Sequence, residues 1–435
     1  MIKVLLEAPI LTNSGYGEHA RLVYRALKEC KEVDLLVNPL NWGQTSWSWE
    51  MNRERSEIDR DIENFSDSLE IHRLANEPFH CDLHVLVGLP NEFVKKAPYA
   101  VCITAGIETD RVHPKWLEKT TAQIDKIIVP SEHAKFGFNN TSYKMMNPHS
   151  KDTYILDCGC PVSVIPYPVK DVKNKKINLN LKTDFNFLSV AMLGPRKNLE
   201  NTIKWFVEEF REEENVGLIL KTGSASNSII DFEKTENYIK NIIESTVGTY
   251  KCSIYLVHGD MSEEQIHSLY SLEKVKCLVS ASHGEGFGLP IFEAAYNQLP
   301  VVATNWSGHL DFLTISDPRD NVFSKKSFFA EVDYSLAKIP DHVAWEDIIE
   351  ENSQWAYPKE SSFKDQIRKV YSNYGLYKKK AKKLQEHVLR HFTEDKVMNL
   401  FRKEVIEDYL HFRSTTEDKP AILEEFKAKT GFKIS

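Results

Sequence analysis

Two acidic residues, Glu285 and Glu293, bracket the run Gly286-Phe287-Gly288-Leu289-Pro290-Ile291-Phe292, and this spacing is where chemistry first shows in the chain. The segment from Leu278 to Thr304 reads as a buried strand, a Gly-rich loop, a short helix and a second buried strand. Pro290 falls in the first helical turn, where its missing N–H costs nothing. Gly284, Gly286 and Gly288 let the backbone approach a ligand closely. The free N–H groups at the helix start near Leu289 favour an anion, with a diphosphate as the natural guest. A carboxylate accepts hydroxyl hydrogen bonds in pairs, so Glu285 and Glu293 at one mouth suit a sugar and a ribose. Taken alone, Glu293 also suits a solvated helix position and Glu285 an acid favoured by the helix dipole.

Cations stand ready nearby. Leu193-Gly194-Pro195-Arg196-Lys197-Asn198 follows a predicted strand, and cations at the carboxyl end of a parallel strand can meet a diphosphate. Gly15, Tyr16 and Gly17 sit between the first strand and a helical run, where a plain strand-to-helix turn would also use glycine. Glu108 and, slightly beyond, His113 follow another buried strand; either also suits a cap or a solvated position. His258 and Met261 lie in a turn between a strand and a helix. There is no convincing Asp-x-Asp turn, so a catalytic divalent metal is not indicated.

The run from Glu285 to Glu293, followed by Ala-Ala, a Pro before a strand and a Ser307-Gly308 loop, resembles the retaining GT-B glycosyltransferases of group 1, whose signature is Glu, seven residues, Glu. The resemblance implies that Glu293 binds the nucleotide ribose and Glu285 orients hydroxyls of the donor sugar. It implies that the backbone from Gly286 through Phe287 and Gly288 to Leu289 contacts sugar and diphosphate. Lys197 matches a family Lys that stabilises the departing nucleotide. The family's Arg would fall at Met192, so Arg196 is a substitute outside the pattern. Gly15, Tyr16 and Gly17 are implied to face the donor phosphate and the acceptor. The turn with His258 and Met261 is implied to line the base pocket, through backbone groups that leave UDP-, GDP- and ADP-sugars unresolved. Many relatives carry a His near the transferred sugar where this chain offers Glu108 or His113. Val129-Pro130-Ser131-Glu132 resembles a turn that the family also places near the cleft. No cofactor beyond the donor substrate is implied.

The elements that must position these residues alternate between strand-like and helix-like, which predicts an α/β fold of parallel sheets covered by helices. With 435 residues, two domains are expected. Strands are predicted at Lys3 to Ala8, Val33 to Asn38, Asp82 to Val87, Tyr99 to Thr104, Lys126 to Val129 and Val162 to Pro166. A second series runs Phe185 to Met192, Gly217 to Thr222, Ser253 to Val257, Lys276 to Ser280 and Pro300 to Thr304. A polar Lys/Asn-rich run between Pro168 and Asp184 suits a linker. The expected division is an N-terminal Rossmann-like acceptor domain over 1–172, a donor domain over 173–385, and helices over 386–435 that, as in GT-B relatives, cross back to the first domain. Ile422, Leu423 and Phe426 extend that helical surplus. The stretch from about Asn41 to Ile71, rich in Trp, Glu and Arg, reads as an insertion near the cleft and not a core element.

Composition narrows the rest. A net charge of −8 gives no global reason to bind nucleic acid. The start of the chain reads as a strand and not a signal peptide, and no stretch approaches the roughly 20 apolar residues that span a bilayer, so a cytoplasmic protein without an integral membrane segment is expected. The 7 Cys are scattered and read as reduced core thiols, Cys158-Gly159-Cys160 included. The expected partners are a nucleotide-sugar donor and an acceptor that no motif identifies, whether glycan, lipid, protein, small molecule or nucleic acid; nothing indicates the oligomeric state. A phosphorylase or epimerase on the same scaffold, or a non-catalytic nucleotide-sugar binder, are the alternatives to sugar transfer.

Overall fold

The computed structural model describes residues 1–43, 52–224, 228–316 and 325–416. The first domain contains β1 (Ile2–Ala8), α1 (Gly15–Lys28), β2 (Val33–Pro39), α2 (Arg53–Ala75), β3 (Leu83–Val87), β4 (Tyr99–Ile103), α3 (Pro114–Ala122), β5 (Lys126–Val129), α4 (Glu132–Asn140), a hairpin of β6 (Tyr143–Met146) and β7 (Thr153–Leu156), and β8 (Val162–Val164). Its six-stranded sheet has the order β2-β1-β3-β4-β5-β8, and every neighbouring pair is parallel. Strands β3, β4 and β5 are buried along their whole length, as expected where helices cover both faces.

The second domain repeats the plan with β9 (Phe185–Val190), α5 (Leu199–Glu209), β10 (Val216–Lys221), α6 (Ile229–Thr246), β11 (Ser253–Val257), α7 (Glu263–Ser271), β12 (Val275–Ser280), α8 (Leu289–Tyr296), β13 (Val301–Thr304) and α9 (Leu310–Leu313). The strand pair β14 (Thr314–Ser316) and β15 (Lys325–Ser327), β16 (Ala330–Val332) and the hairpin of β17 (Tyr334–Lys338) and β18 (Gln354–Pro358) follow. The sheet order is β11-β10-β9-β12-β13-β16, again parallel throughout. The chain leaves β9 in one direction to build β10 and β11, then returns to its other side with β12. The β9/β12 boundary is therefore the topological switch point, where the loops part and leave a crevice.

Helices α10 (Glu360–Ser372) and α11 (Tyr374–His391) stay on the second domain: Phe363 packs on Trp205 at 5.5 Å, and Gln385 Nε2 donates to the Tyr296 carbonyl at 2.8 Å. The chain then crosses at Phe392 and Thr393, where the Val169 N–H of the linker donates to the Phe392 carbonyl at 2.7 Å. Helix α12 (Glu394–Phe401) and the helical residues through 416 lie on the first domain. There Lys126, 4% exposed, pairs with Glu404 and Asp408, and Phe412 meets Tyr99 at 4.9 Å. Ile422, Leu423 and Phe426 fall outside the described residues.

The stretch read as an insertion differs from expectation. Residues 44–51 are outside the described residues, but Arg53 onward forms the long helix α2, which packs along β2. Its buried residues are Ile58, Asp61 and Phe65, with Asp61 accepting from Tyr24 at 2.8 Å and paired with Lys28 at 2.6 Å. So thin an apolar stripe leaves little helical period to read. The β17–β18 hairpin was also not foreseen, because its two short strands pair across a long connecting segment.

Candidate functional site

The switch point of the second sheet collects the charged residues. After β9 the chain makes a single three-ten turn over Pro195–Lys197, and after β12 it makes the loop that holds Glu285. Glu285 Oε1 lies 2.6 Å from Lys197 Nζ and Oε2 lies 3.0 Å from Arg196. Arg196 also donates to the Gly284 carbonyl at 2.7 Å and meets Glu108 of the first domain at 3.3 Å. Burial alone would raise the Glu285 carboxyl, but Lys197 and Arg196 overcome it and hold the group at about 2. Burial draws Lys197 below its ordinary value, and Glu285 opposes that shift.

A buried polar frame fixes Glu285 from behind. Its N–H donates to Ser307 Oγ at 2.9 Å, and its carbonyl accepts from the Gly308 N–H at 2.9 Å. Ser307 holds φ of 88°, a conformation few side chains adopt, so this loop is a built feature. Helix α8 opens after Gly288 at φ of 91° with no side-chain cap, and Pro290 follows in the first turn. Pro290 carries no N–H, and the Ile291 and Phe292 N–H groups donate to the Gly288 carbonyl at 3.0 and 2.9 Å. Within this first turn it is the Leu289 N–H that is left for an anion, at a helix start bordering the pocket bounded by Ala191, Lys197, Glu285 and Pro290.

The structure gives several of the predicted residues surroundings that the sequence did not show. A Cβ on Gly284 would lie 2.2 Å from the Glu108 carbonyl, and one on Gly286 would lie 2.2 Å from the Ala105 carbonyl. These glycines admit the first domain's backbone at close approach. Phe287 is 3% exposed and packs on Tyr167, Phe292 and Phe312, so its side chain belongs to the core and only its backbone is left to act. Glu293 does not share the Glu285 pocket. It lines a second one, with Glu18, Lys170, Phe292 and Tyr296, and accepts from the Tyr270 hydroxyl at 2.7 Å. The two carboxylates flank the start of α8 on different sides because Leu289 faces one pocket and Pro290 the other. Burial pushes the Glu293 carboxyl up.

From the first domain, the Tyr16 hydroxyl is 2.9 Å from Thr104 Oγ1 and accepts the Ala105 N–H at 3.2 Å, which fixes the loop that touches Gly286. Gly15 is exposed, whereas a Cβ on Gly17 would meet the Thr12 carbonyl at 2.1 Å, so helix packing explains that glycine. Glu108 reaches the cluster. His113 instead caps α3, its Nδ1 accepting from the Lys115 N–H at 3.1 Å. At the far end of the sheet His258 Nε2 meets Asp231 at 2.8 Å, and Met261 is half-buried just before α7.

Other residues enter the site region without having been singled out. Ser131 caps α4 and donates to the Gly286 carbonyl at 2.6 Å. Lys170 bridges Glu18 and Glu263 across the domains. Asp231 carried no sequence signal, but Lys221, at the carboxyl end of β10 and donating to the Gly259 carbonyl at 2.6 Å, was readable from its place at a strand end. Among the described residues no group of three His, Cys, Asp or Glu side chains is arranged to hold a metal ion, and no helix is long and apolar enough to cross a membrane.

Residues 171–316 match the family model described as Glycosyl transferases group 1. The alpha-1,3/1,6-mannosyltransferase ALG2 of Homo sapiens is 26% identical over 206 residues, covering 45% of this chain and 46% of that protein. The serotype-specific mannosyltransferase WbdA of Escherichia coli is 31% identical over 117 residues, covering 27% of this chain and 13% of that protein. The chain thus spans less than half the length of these curated relatives. Among solved structures, a sucrose-phosphate synthase from Thermosynechococcus elongatus superposes with a TM-score of 0.59 at 14% identity, over 94% of this chain and all of that one (100%). Anabaena HepE, solved with UDP-glucose, gives 0.57 at 11% identity with the same coverage, 94% and 100%. These likenesses, with the two parallel sheets, show the GT-B fold.

Proposed function

We propose that this GT-B chain, with its glycosyl transferases group 1 region, moves a sugar from a nucleotide-sugar donor to an acceptor hydroxyl with retention of anomeric configuration. The observation that carries the reading is the cluster of Arg196, Lys197 and Glu285 at the β9/β12 switch point beside the uncapped start of α8. A donor diphosphate would compete with Glu285 for the two cations and lie against the start of α8, where the Leu289 N–H is left to donate. Glu285, released in part, then accepts hydroxyls of the donor sugar. Negative charge grows on the diphosphate as the glycosidic bond breaks, and fixed cations in a water-poor site stabilise it most where it is largest. Glu293 is the ribose carboxylate in this reading, and the acceptor attacks from the face the diphosphate leaves, with no side-chain nucleophile.

The test is a panel of UDP-, GDP- and ADP-sugars. Mannose belongs in it because ALG2 and WbdA are named mannosyltransferases, and glucose because HepE was solved with UDP-glucose. Free nucleotide together with a glycoside whose anomeric coupling matches the donor is the expected result. Sugar phosphate formed from added phosphate would reassign the chain to phosphorolysis, and donor binding without turnover would make it a binding protein.

A further inference from the structure

The β17–β18 hairpin is rooted in the second domain and ends on the first. At its root Ala356 donates its N–H to the His283 carbonyl at 3.1 Å and faces the His283 ring nitrogen through its own carbonyl at 2.9 Å. The His283 ring stacks on Trp355 at 5.3 Å, and the His283 N–H donates to the Arg196 carbonyl at 2.9 Å. The hairpin is therefore tied to the loops that carry Arg196 and Glu285. At its tip the Asp347 carbonyl accepts the indole N–H of Trp116 at 3.0 Å, and Ile348 packs on the first domain's core around Val112 and Trp116.

Between root and tip the hairpin holds the β4–α3 loop. The Gln354 N–H donates to Asp110 Oδ1 at 2.6 Å, and the Gln354 carbonyl accepts the Asp110 N–H at 3.2 Å. The other carboxylate oxygen of Asp110 pairs with Arg111 at 3.1 Å, so the side chain is held from two directions. On the opposite side the same loop presses its Glu108 carbonyl on Gly284. Glu108 itself, 36% exposed, meets Arg196 at 3.3 Å from this loop.

Resting on the reading above, in which Arg196 faces the leaving diphosphate, we infer that Asp110 is a positioning residue: by pairing with Gln354 it keeps Glu108 on Arg196 and so aims the guanidinium. Its contribution is geometric, since Asp110 touches neither Arg196 nor Glu285. Small losses of alignment at a reacting centre are costly in rate, and a conservative group that keeps the hydrogen bond must restore them.

The experiment compares Asp110→Ala, Asp110→Asn, Glu108→Ala and the double variant Glu108→Ala/Asp110→Ala, with kcat and KM for the donor, calorimetry with the matching nucleoside diphosphate, and hydrogen exchange. Asp110→Ala should lower kcat roughly 10- to 100-fold, an effect typical of small misplacements, while nucleoside diphosphate affinity stays near wild type. Asp110→Asn, whose amide oxygen still accepts the Gln354 N–H, should recover most of kcat. In the Glu108→Ala background the Ala at 110 should cost nothing further, because both changes remove one function. Additive losses, or wild-type kcat in Asp110→Ala, would overturn the assignment. A wild-type chain that turns over no donor defeats the transferase reading separately. Exchange over 105–113 then decides: it must rise in Asp110→Ala and stay at wild type in Asp110→Asn, and an unchanged rate in Asp110→Ala refutes the pin.

Discussion

Both domains are parallel sheets with a switch point beside their first strand, at β1/β3 in one and β9/β12 in the other, and they treat it in opposite ways. In the first, the chain after β1 runs through Ile10, Leu11 and Thr12, all buried, and Arg21 of α1 reaches back to donate to the Ile10 carbonyl at 2.9 Å and the Thr12 carbonyl at 3.0 Å. That cation is tied to two carbonyls of the protein's own backbone, with Glu18 of the same helix beside it at 3.3 Å. In the second, Arg196 and Lys197 share a carboxylate, Glu285, that a ligand anion can replace. Parallel sheets offer a crevice at every switch point, but a site needs charge whose internal partner is exchangeable. Carbonyls left unpaired in a buried loop would cost far more than a carboxylate that finds sugar hydroxyls in exchange.

The strongest break of that comparison is Lys197→Ala. Removing a cation aimed at developing charge should lower turnover at saturating donor by about two orders of magnitude or more, with a smaller change in nucleotide affinity. Steady-state kinetics on the preferred donor check it, and wild-type kcat would transfer the role to Arg196 alone. Arg21→Met tests the other side. It strips two buried carbonyls of their donor, so thermal or denaturant unfolding should show a loss of roughly 2–3 kcal/mol. Turnover per folded molecule should fall far less than in Lys197→Ala. Equal loss of kcat in the two variants would erase the distinction between the switch points.

The smallest expected effect concerns pH. His133, on α4 of the first domain, packs on Trp306 of the second at 4.7 Å with a buried Nε2. Burial lowers it from 6.5 to about 4. Between these values the unfolded chain binds a proton that the folded chain refuses, so stability is present above pH 6.5 and is lost as pH falls toward 4. The loss is on the order of 2 kcal/mol for this group. His133→Phe should flatten that part of the stability curve. Glu285, held at about 2, keeps its charge across the same window, so the acid loss should leave the Lys197–Glu285 pair intact. A curve unchanged in His133→Phe would place the acid sensitivity elsewhere.

Much of this architecture was legible from local pattern. Runs such as Val85–Val87 and Ile127–Val129 are apolar end to end, and the alternation with helices carries the parallel sheets. Ser14 and Gly15 mark the start of α1 as its cap geometry requires. Helix α2 escaped because three buried residues on a charged surface leave no period to detect.

For the site, the sequence by itself determined which residue types stand at the ends of β9 and β12, since strand ends and glycine loops are written locally. It could not say which glycines serve a ligand. Gly284 and Gly286 read as a ligand loop in one dimension, and in three they also seat another domain's backbone. Nor could it separate Glu285 from Glu293, whose pockets diverge on either side of α8, or find Asp110 and Gln354, which meet only when a hairpin folds across from the second domain. Contacts of this kind depend on how two finished domains lie against each other, and that relation leaves no periodicity in the chain.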